Sequence, residues 1–183
     1  MRPALLASLL LAAAASPSAQ VVDGVLDEWH TPLYEDASGD GGAVDFGRLW
    51  GSGDAAYLYL AVEVGAEIGL QDGNAVTLYV DTDDDATTGQ AIAGIGAEIR
   101  YVFGQRSGTV RLPGRSPLTV GHAAIGLVTA PTVTSDRFEI LLDRTAVVSG
   151  LPVFSGPTAR VVLTNGSSGD VLPDTPGGVA VTL

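Results

Sequence analysis

The stretch Ala56-Tyr57-Leu58-Tyr59-Leu60-Ala61-Val62-Glu63-Val64 decides the fold class. A two-residue period is what an extended strand imposes, because successive side chains point to opposite faces of the pleat. Leu58, Leu60, Val62 and Val64 therefore share one face and are candidate core, while Tyr57, Tyr59, Ala61 and Glu63 share the other. The same rhythm recurs on both sides of this stretch. Asp72-Gly73-Asn74 breaks the chain before Ala75-Val76-Thr77-Leu78-Tyr79-Val80, whose Val76, Leu78 and Val80 point one way. Gly96 to Gly104 reads as a third strand, with Ala97, Ile99, Tyr101 and Phe103 alternating against Glu98, Arg100 and Val102. Gln105-Arg106-Ser107-Gly108 reads as the turn into the strand that follows it. Further strands fit 136–142, 159–163 and 179–183, and no segment carries a helical period beyond two turns. The expectation is an all-β chain: a single jelly-roll-like or immunoglobulin-like antiparallel β-sandwich of about seven to ten strands.

Composition narrows the function. Hydrophobic residues make up 46 % and charged residues 16 %, with 24 Gly and 10 Pro, which is a turn-rich globular chain rather than a disordered one. The formal net charge of −12 repels phosphate backbones and anionic lipid, so nucleic acid is not expected as a partner. Without cysteine there is no thiol catalysis, cysteine zinc site or disulfide. Without lysine there is no Walker-type phosphate loop. His30 and His122 lie outside any H-E-x-x-H spacing, no G-x-S-x-G elbow occurs, and no catalytic constellation is identified. A pair of carboxylates can always be nominated for glycoside hydrolysis, which leaves a small secreted hydrolase as one alternative.

The first residues, Met1-Arg2-Pro3-Ala4-Leu5-Leu6 and the apolar run that follows, end in the small residues Ser16-Pro17-Ser18-Ala19. One positive charge, a short apolar run and small residues form the layout of a cleavable secretory signal. The run is too short for a permanent membrane span. Residues 1–19 are accordingly expected to be a signal peptide and 20–183 the β-sandwich domain, placed outside the cell or in a periplasm, with its oligomeric state open.

The most specific polar segment is Asp81-Thr82-Asp83-Asp84-Asp85-Ala86-Thr87-Thr88-Gly89, directly after a strand. Carboxylates at every other position of a tight loop turn several oxygens toward one hard ion, and oxygen is what Ca²⁺ prefers. The candidate metal ligands are Asp81, Asp83, Asp85 and Thr88, with Glu98, Asp40 and Asp45 as remote additions. The loop is not an EF-hand, because Ala86 stands at the glycine position, Ile92 at the bidentate glutamate position, and no helices flank it. The alternative is a solvated acidic turn in which Asp side chains cap backbone amides.

Taken in order, Asp23-Gly24-Val25-Leu26-Asp27-Glu28-Trp29, then Asp40 and Asp45, Phe46-Gly47-Arg48-Leu49-Trp50, the Leu58-Tyr59-Leu60 strand and Tyr79-Val80-Asp81-Thr82-Asp83 with Thr88-Gly89 resemble a known set of domains. The segment from Asp23 to about Phe103 is similar to the superfamily of family 9 carbohydrate-binding modules and DOMON-like β-sandwiches. The resemblance implies a jelly-roll-like sandwich, calcium held mainly for structure, and in some members sugar gripped between aromatic side chains. It also implies an accessory role at the front of a longer secreted protein, such as an extracellular nuclease or phosphatase or a glycoside hydrolase. The chain departs from the sugar-binding pattern in having only Trp29 and Trp50, both in segments that pack the core. It departs from the haem-binding pattern in having a single Met, in the signal segment, and two His. A sugar platform built from Tyr57, Tyr59, Tyr79 and Arg100 is the remaining ligand-binding expectation, against the alternative that these tyrosines pack under loops. The expected partner is a carbohydrate or another extracellular ligand.

Overall fold

In a computed structural model, residues 20–166 and 169–183 are described, and the expected signal peptide lies outside them. The strands are β1 (Tyr34–Glu35), β2 (Arg48–Gly53), β3 (Tyr57–Ile68), β4 (Val76–Asp81), β5 (Gln90–Ile92), β6 (Ile95–Ala97), β7 (Ile99–Val102) and β8 (Ser107–Val110). They continue as β9 (Leu118–Gly121), β10 (Val128–Ala130), β11 (Ser135–Asp143), β12 (Val147–Val148), β13 (Leu151–Pro152), β14 (Thr158–Asn165), β15 (Asp170–Leu172) and β16 (Val179–Thr182). Short 3₁₀ turns at Phe103–Gln105 and His122–Ile125 interrupt them. One sheet has five strands in the order β1-β2-β3-β11-β10; the other has seven, β15-β14-β4-β7-β8-β9 with β16 also on β14. Every ladder is antiparallel. This is the expected β-sandwich, with more strands than the seven to ten anticipated. The excess comes from the two-stranded ribbons β5–β6 and β12–β13 and from short edge pieces: β15 and β16 share one side of β14 end to end, and β1 holds only two residues.

The alternating face of β3 is the core. Leu58, Leu60, Val62 and Val64 pack with Leu78 and Val80 of β4, Ile99 and Tyr101 of β7, Phe138 and Ile140 of β11 and Val161 and Leu163 of β14. Removing this apolar area from water is the main term holding the sheets together. The outer faces are covered too. On the five-stranded sheet Trp29, Trp50, Tyr59 and Ala61 form a second cluster, with Val22 and Leu26 laid over it. On the seven-stranded sheet Tyr79 and Val162 pack under Ile95 and Ala97 of the β5–β6 hairpin.

That hairpin corrects one expectation. Residues 96–104 are not one strand: β6 pairs with β5, whereas β7 pairs with β4 and β8. The break falls at Glu98, whose carbonyl accepts the Arg111 N–H at 2.8 Å. Ala97 is thereby sent to the outer cluster while Ile99 and Tyr101 stay in the core, and Glu98 is turned beneath the acidic loop.

Candidate functional site

The acidic loop leaves the end of β4 and folds back over β6. Gly89 and Gly96 make that approach feasible. Gly89 has φ +61°, and a Cβ on it would meet the Ala97 backbone at 2.5 Å and Glu98 Oε1 at 2.6 Å. A Cβ on Gly96 would meet the Thr88 carbonyl at 2.3 Å. The close approach brings oxygens of Asp81, Asp83 and Glu98 within 4.8 Å of one another. Asp81 and Glu98 are buried and Asp83 is partly buried. Backbone amides support them: Asp81 Oδ1 accepts from Asp83 and Asp85 at 3.3 Å, Asp81 Oδ2 from Gly96 at 3.3 Å, and Glu98 Oε2 from Thr82 at 2.9 Å.

The Thr88 hydroxyl sits at the centre. It carries one proton, yet it faces Glu98 Oε1 at 2.9 Å, the Asp85 carbonyl at 3.0 Å and the Asp83 oxygens at 3.2 and 3.3 Å. One donor cannot satisfy four acceptors. Burial raises the Glu98 carboxyl above its usual range, against the Thr82 and Thr88 hydrogen bonds, and the charges of Asp83 and Asp81 push the same way. Burial likewise raises Asp83. A donor set made only of carboxylate, hydroxyl and carbonyl oxygen suits a hard divalent cation, so these residues fit calcium.

Of the four metal ligands read from the loop, the structure brings Asp81, Asp83 and Thr88 together and sets the Asp85 carboxylate apart. Asp85 Oδ1 instead accepts from the Thr87 N–H at 2.9 Å and its hydroxyl at 2.6 Å, which holds its carboxyl below the usual range. Only the Asp85 carbonyl points to the centre. Glu98, a remote candidate in the sequence, takes its place. Cavities of about 290 Å³ and 260 Å³ flank Glu98: Arg111 and Arg115 line the first, and Asp83, Leu151 and Val153 the second.

A second acidic group lies elsewhere. Oxygens of Asp36, Asp40 and Asp170 also come within 4.8 Å of one another. Asp36 follows β1 at the edge of the five-stranded sheet and Asp170 opens β15 at the edge of the seven-stranded one, so the meeting of the two sheets, not sequence spacing, brings them together. Both Asp36 oxygens are sealed from solvent and accept no N–H or O–H among the described residues, with the Asp174 carboxyl beside them. Burial, then the charges of Asp174, Asp170 and Asp40, push Asp36 up to about 7. Asp45 joins neither group. It accepts from Gly39 N at 2.9 Å and Gly41 N at 2.9 Å and so shapes the loop that carries Asp40.

The four candidate sugar-binding side chains do not share a surface. Tyr57 and Tyr59 belong to the outer face of the five-stranded sheet, Tyr79 and Arg100 to that of the seven-stranded sheet. The sequence pattern aligns side chains within a strand but does not say which sheet a strand joins. Tyr57 and Tyr59 meet edge to face at 67° with 5.8 Å between centroids, and Tyr59 donates to Asp54 Oδ2 at 3.2 Å. Tyr79 is 8 % exposed, with the Arg100 guanidinium 6.0 Å from its ring, and Tyr57 is 38 % exposed.

Sequence reasoning missed Glu139. This fully buried carboxylate on β11 accepts from Asp23 N at 2.9 Å, Gly24 N at 2.7 Å and Trp29 Nε1 at 2.9 Å. It therefore ties the Asp23-Gly24…Trp29 segment across the outer sheet, in register with Ala61 and Trp50. A glutamate inside the apolar run Phe138-Glu139-Ile140 was the available signal.

No family model matches the sequence, and no curated protein matches it. Among solved structures the chain is similar to a family 9 carbohydrate-binding module from Caldicellulosiruptor kristjanssonii in complex with glucose. That likeness has 13 % identity and a TM-score of 0.41, and covers 92 % of this chain and 93 % of the other. No helix among the described residues is long and apolar enough to cross a membrane.

Proposed function

We propose that the chain is a secreted, non-catalytic carbohydrate-binding module whose fold is stiffened by calcium at Asp81, Asp83 and Glu98. The observation that carries the reading is the convergence of those three carboxylates within 4.8 Å of one another, with the single Thr88 hydroxyl shared between Asp83 and Glu98. Bound calcium would offset their mutual repulsion and lock the loop onto β6. The carbohydrate part is supported by the ordered motifs from Asp23 to Gly89, each of which has a structural role in this fold. Asp23-Gly24 and Trp29 dock on Glu139, Asp81 and Asp83 enter the cluster, and Gly89 lets the loop close.

Thermal unfolding with calcium and with chelator tests the metal. Calcium at 100 times its Kd stabilises by about 2.7 kcal/mol, which raises Tm by about 5–10 °C in a domain of this size. A Tm that responds to neither addition removes the calcium. Glycan-array binding tests the ligand, and retention of no polysaccharide in either condition removes the carbohydrate reading.

A second reading, a structural or accessory module, is favoured by the burial of Tyr59 and Tyr79, which leaves no aromatic platform among the four candidates. A small hydrolase would need Asp83 and Glu98, which both line the cavity of about 260 Å³. Their oxygens, however, already accept hydrogen bonds from Thr82, Asp85 and Thr88.

A further inference from the structure

A cavity of about 450 Å³, roomier than the two beside Glu98, is lined by no residue of either acidic cluster and lies where the loop after β3 meets the turns before β8 and β10. That is a common size for a small-ligand site. Its lining inverts the character of the molecule. The chain has 21 acidic and 9 basic residues, yet no Asp or Glu lines this cavity, and Arg106 and His122 do.

The polar groups are held in place. Arg106 Nε donates to the Gln71 carbonyl at 2.8 Å, which fixes the plane of the guanidinium and leaves both terminal nitrogens without a hydrogen bond among the described residues. Gln71 Nε2 donates to Thr129 Oγ1 at 3.0 Å, so the Thr129 hydroxyl keeps its own proton to give. His122 carries at least one ring N–H in either protonation state, and Thr132 adds a second hydroxyl. Donors outnumber acceptors, with the Gln71 side-chain amide oxygen Oε1 as the main side-chain acceptor. Leu127 and Val128 supply an apolar flank. Arg106 also occupies the left-handed region at φ 51°, a backbone state that glycine would adopt at less cost.

A donor-rich wall matches an acceptor-rich ligand, and two parallel N–H groups of a guanidinium match a carboxylate. A neutral sugar presents as many O–H donors as acceptors and is normally read by Asp or Glu, which this wall lacks. The net charge of the chain does not forbid an anion here. At physiological ionic strength charges beyond about 8 Å are largely screened, and the nearby guanidinium dominates. We infer that this cavity binds the carboxylate of an acidic sugar, a hexuronic acid unit, between Arg106 and the Thr129 hydroxyl, with the ring against Leu127 and Val128. The inference rests on the carbohydrate-binding reading and narrows it to a ligand class and a place.

The test is calorimetric titration of the full chain with three probes: a hexuronic acid disaccharide, the neutral hexose disaccharide of the same linkage, and acetate. The expected result is binding of the first at least about tenfold tighter than either other, since charge-assisted hydrogen bonds are the strong ones. Arg106→Gly relieves the left-handed backbone while removing the guanidinium. It is expected to keep or raise Tm and to weaken uronate binding at least about tenfold. Arg106→Lys, which keeps the charge without the fork, is expected to fall between the two. Uronate binding untouched by Arg106→Gly overturns the site and leaves the module reading standing. Equal binding of the neutral disaccharide overturns the ligand class, and equal binding of acetate overturns the sugar. A chain that binds neutral glycans on the array but no uronate sinks only this inference, whereas one that binds no glycan sinks the proposed function with it.

Discussion

The two acidic clusters each bring three carboxylates within 4.8 Å of one another, but their surroundings differ. Around Asp81, Asp83 and Glu98 the chain supplies donors: three backbone N–H groups point at Asp81, one at Glu98, and the Thr88 hydroxyl sits between. Around Asp36, Asp40 and Asp170 the Phe46 N–H reaches Asp170 at 2.6 Å and the Val171 backbone supports it too, while Asp36 meets no donor among the described residues. The first cluster is a shaped cradle whose oxygen donors fit a cation. The second holds together only if charge is removed from it, by a proton on Asp36 or by a counterion. Hydrogen-bond supply, not the count of acids, separates a site from a stress.

The hardest way to break the first cluster is to stop the loop from closing. Gly89→Ala places a methyl group against the Ala97 backbone in a conformation that L side chains avoid. A loss of about 3 kcal/mol is expected, a fall in Tm of roughly 6–12 °C. Chemical denaturation reads it directly, and a change under 0.5 kcal/mol would mean the loop does not need this close approach. Next in size, Glu98→Gln keeps the shape and removes one charge. Ligand charge tunes calcium affinity over decades, so the half-saturating concentration should rise at least about tenfold. Fluorescence or calorimetric titration measures it, and unchanged affinity would take Glu98 out of the ligand set.

The second cluster answers to pH. Asp36 is raised to about 7 in the folded chain against an ordinary value of 3.8. Between those values the folded state holds a proton that the unfolded state has released. Its contribution is therefore fully present below about pH 4 and lost as pH rises through 7. Asp36→Asn removes that slope. Discounted for its partial exposure, the variant should be about 1 kcal/mol more stable than the parent at pH 8 and near parity at pH 4. Parallel curves for the two proteins would show that Asp36 is not stressed.

These contrasts follow what a linear reading can and cannot reach. The β3 and β4 faces were legible because a strand's period lies within one run, and Asp81, Asp83 and Thr88 were legible because one loop carries them. Glu98 was visible only as a remote addition, since its role depends on the chain breaking between β6 and β7. Asp36 with Asp170, and Glu139 with Trp29, are more than a hundred residues apart, and only the tertiary fold joins them. The tyrosine platform failed for the same reason, with outward side chains on different sheets facing away from one another.

The smallest expected effect separates the loop as spelled from the loop as folded. Alternate spacing nominates Asp85 as the third carboxylate, whereas the structure commits that side chain to Thr87 and offers only its carbonyl to the centre. Asp85→Ala keeps the carbonyl and deletes the carboxylate. Calcium affinity should then change by less than about twofold, well inside the decade that one ligand commands. The loss of the Thr87 contacts should appear instead as faster amide exchange at Thr87, because that N–H would have only solvent to bond to. An affinity loss equal to that of Glu98→Gln would mean that the Asp85 side chain swings inward when the ion arrives. The regular spacing Asp81, Asp83, Asp85 would then describe the loaded site, and the donors that hold Asp85 outward would be a barrier that the ion overcomes.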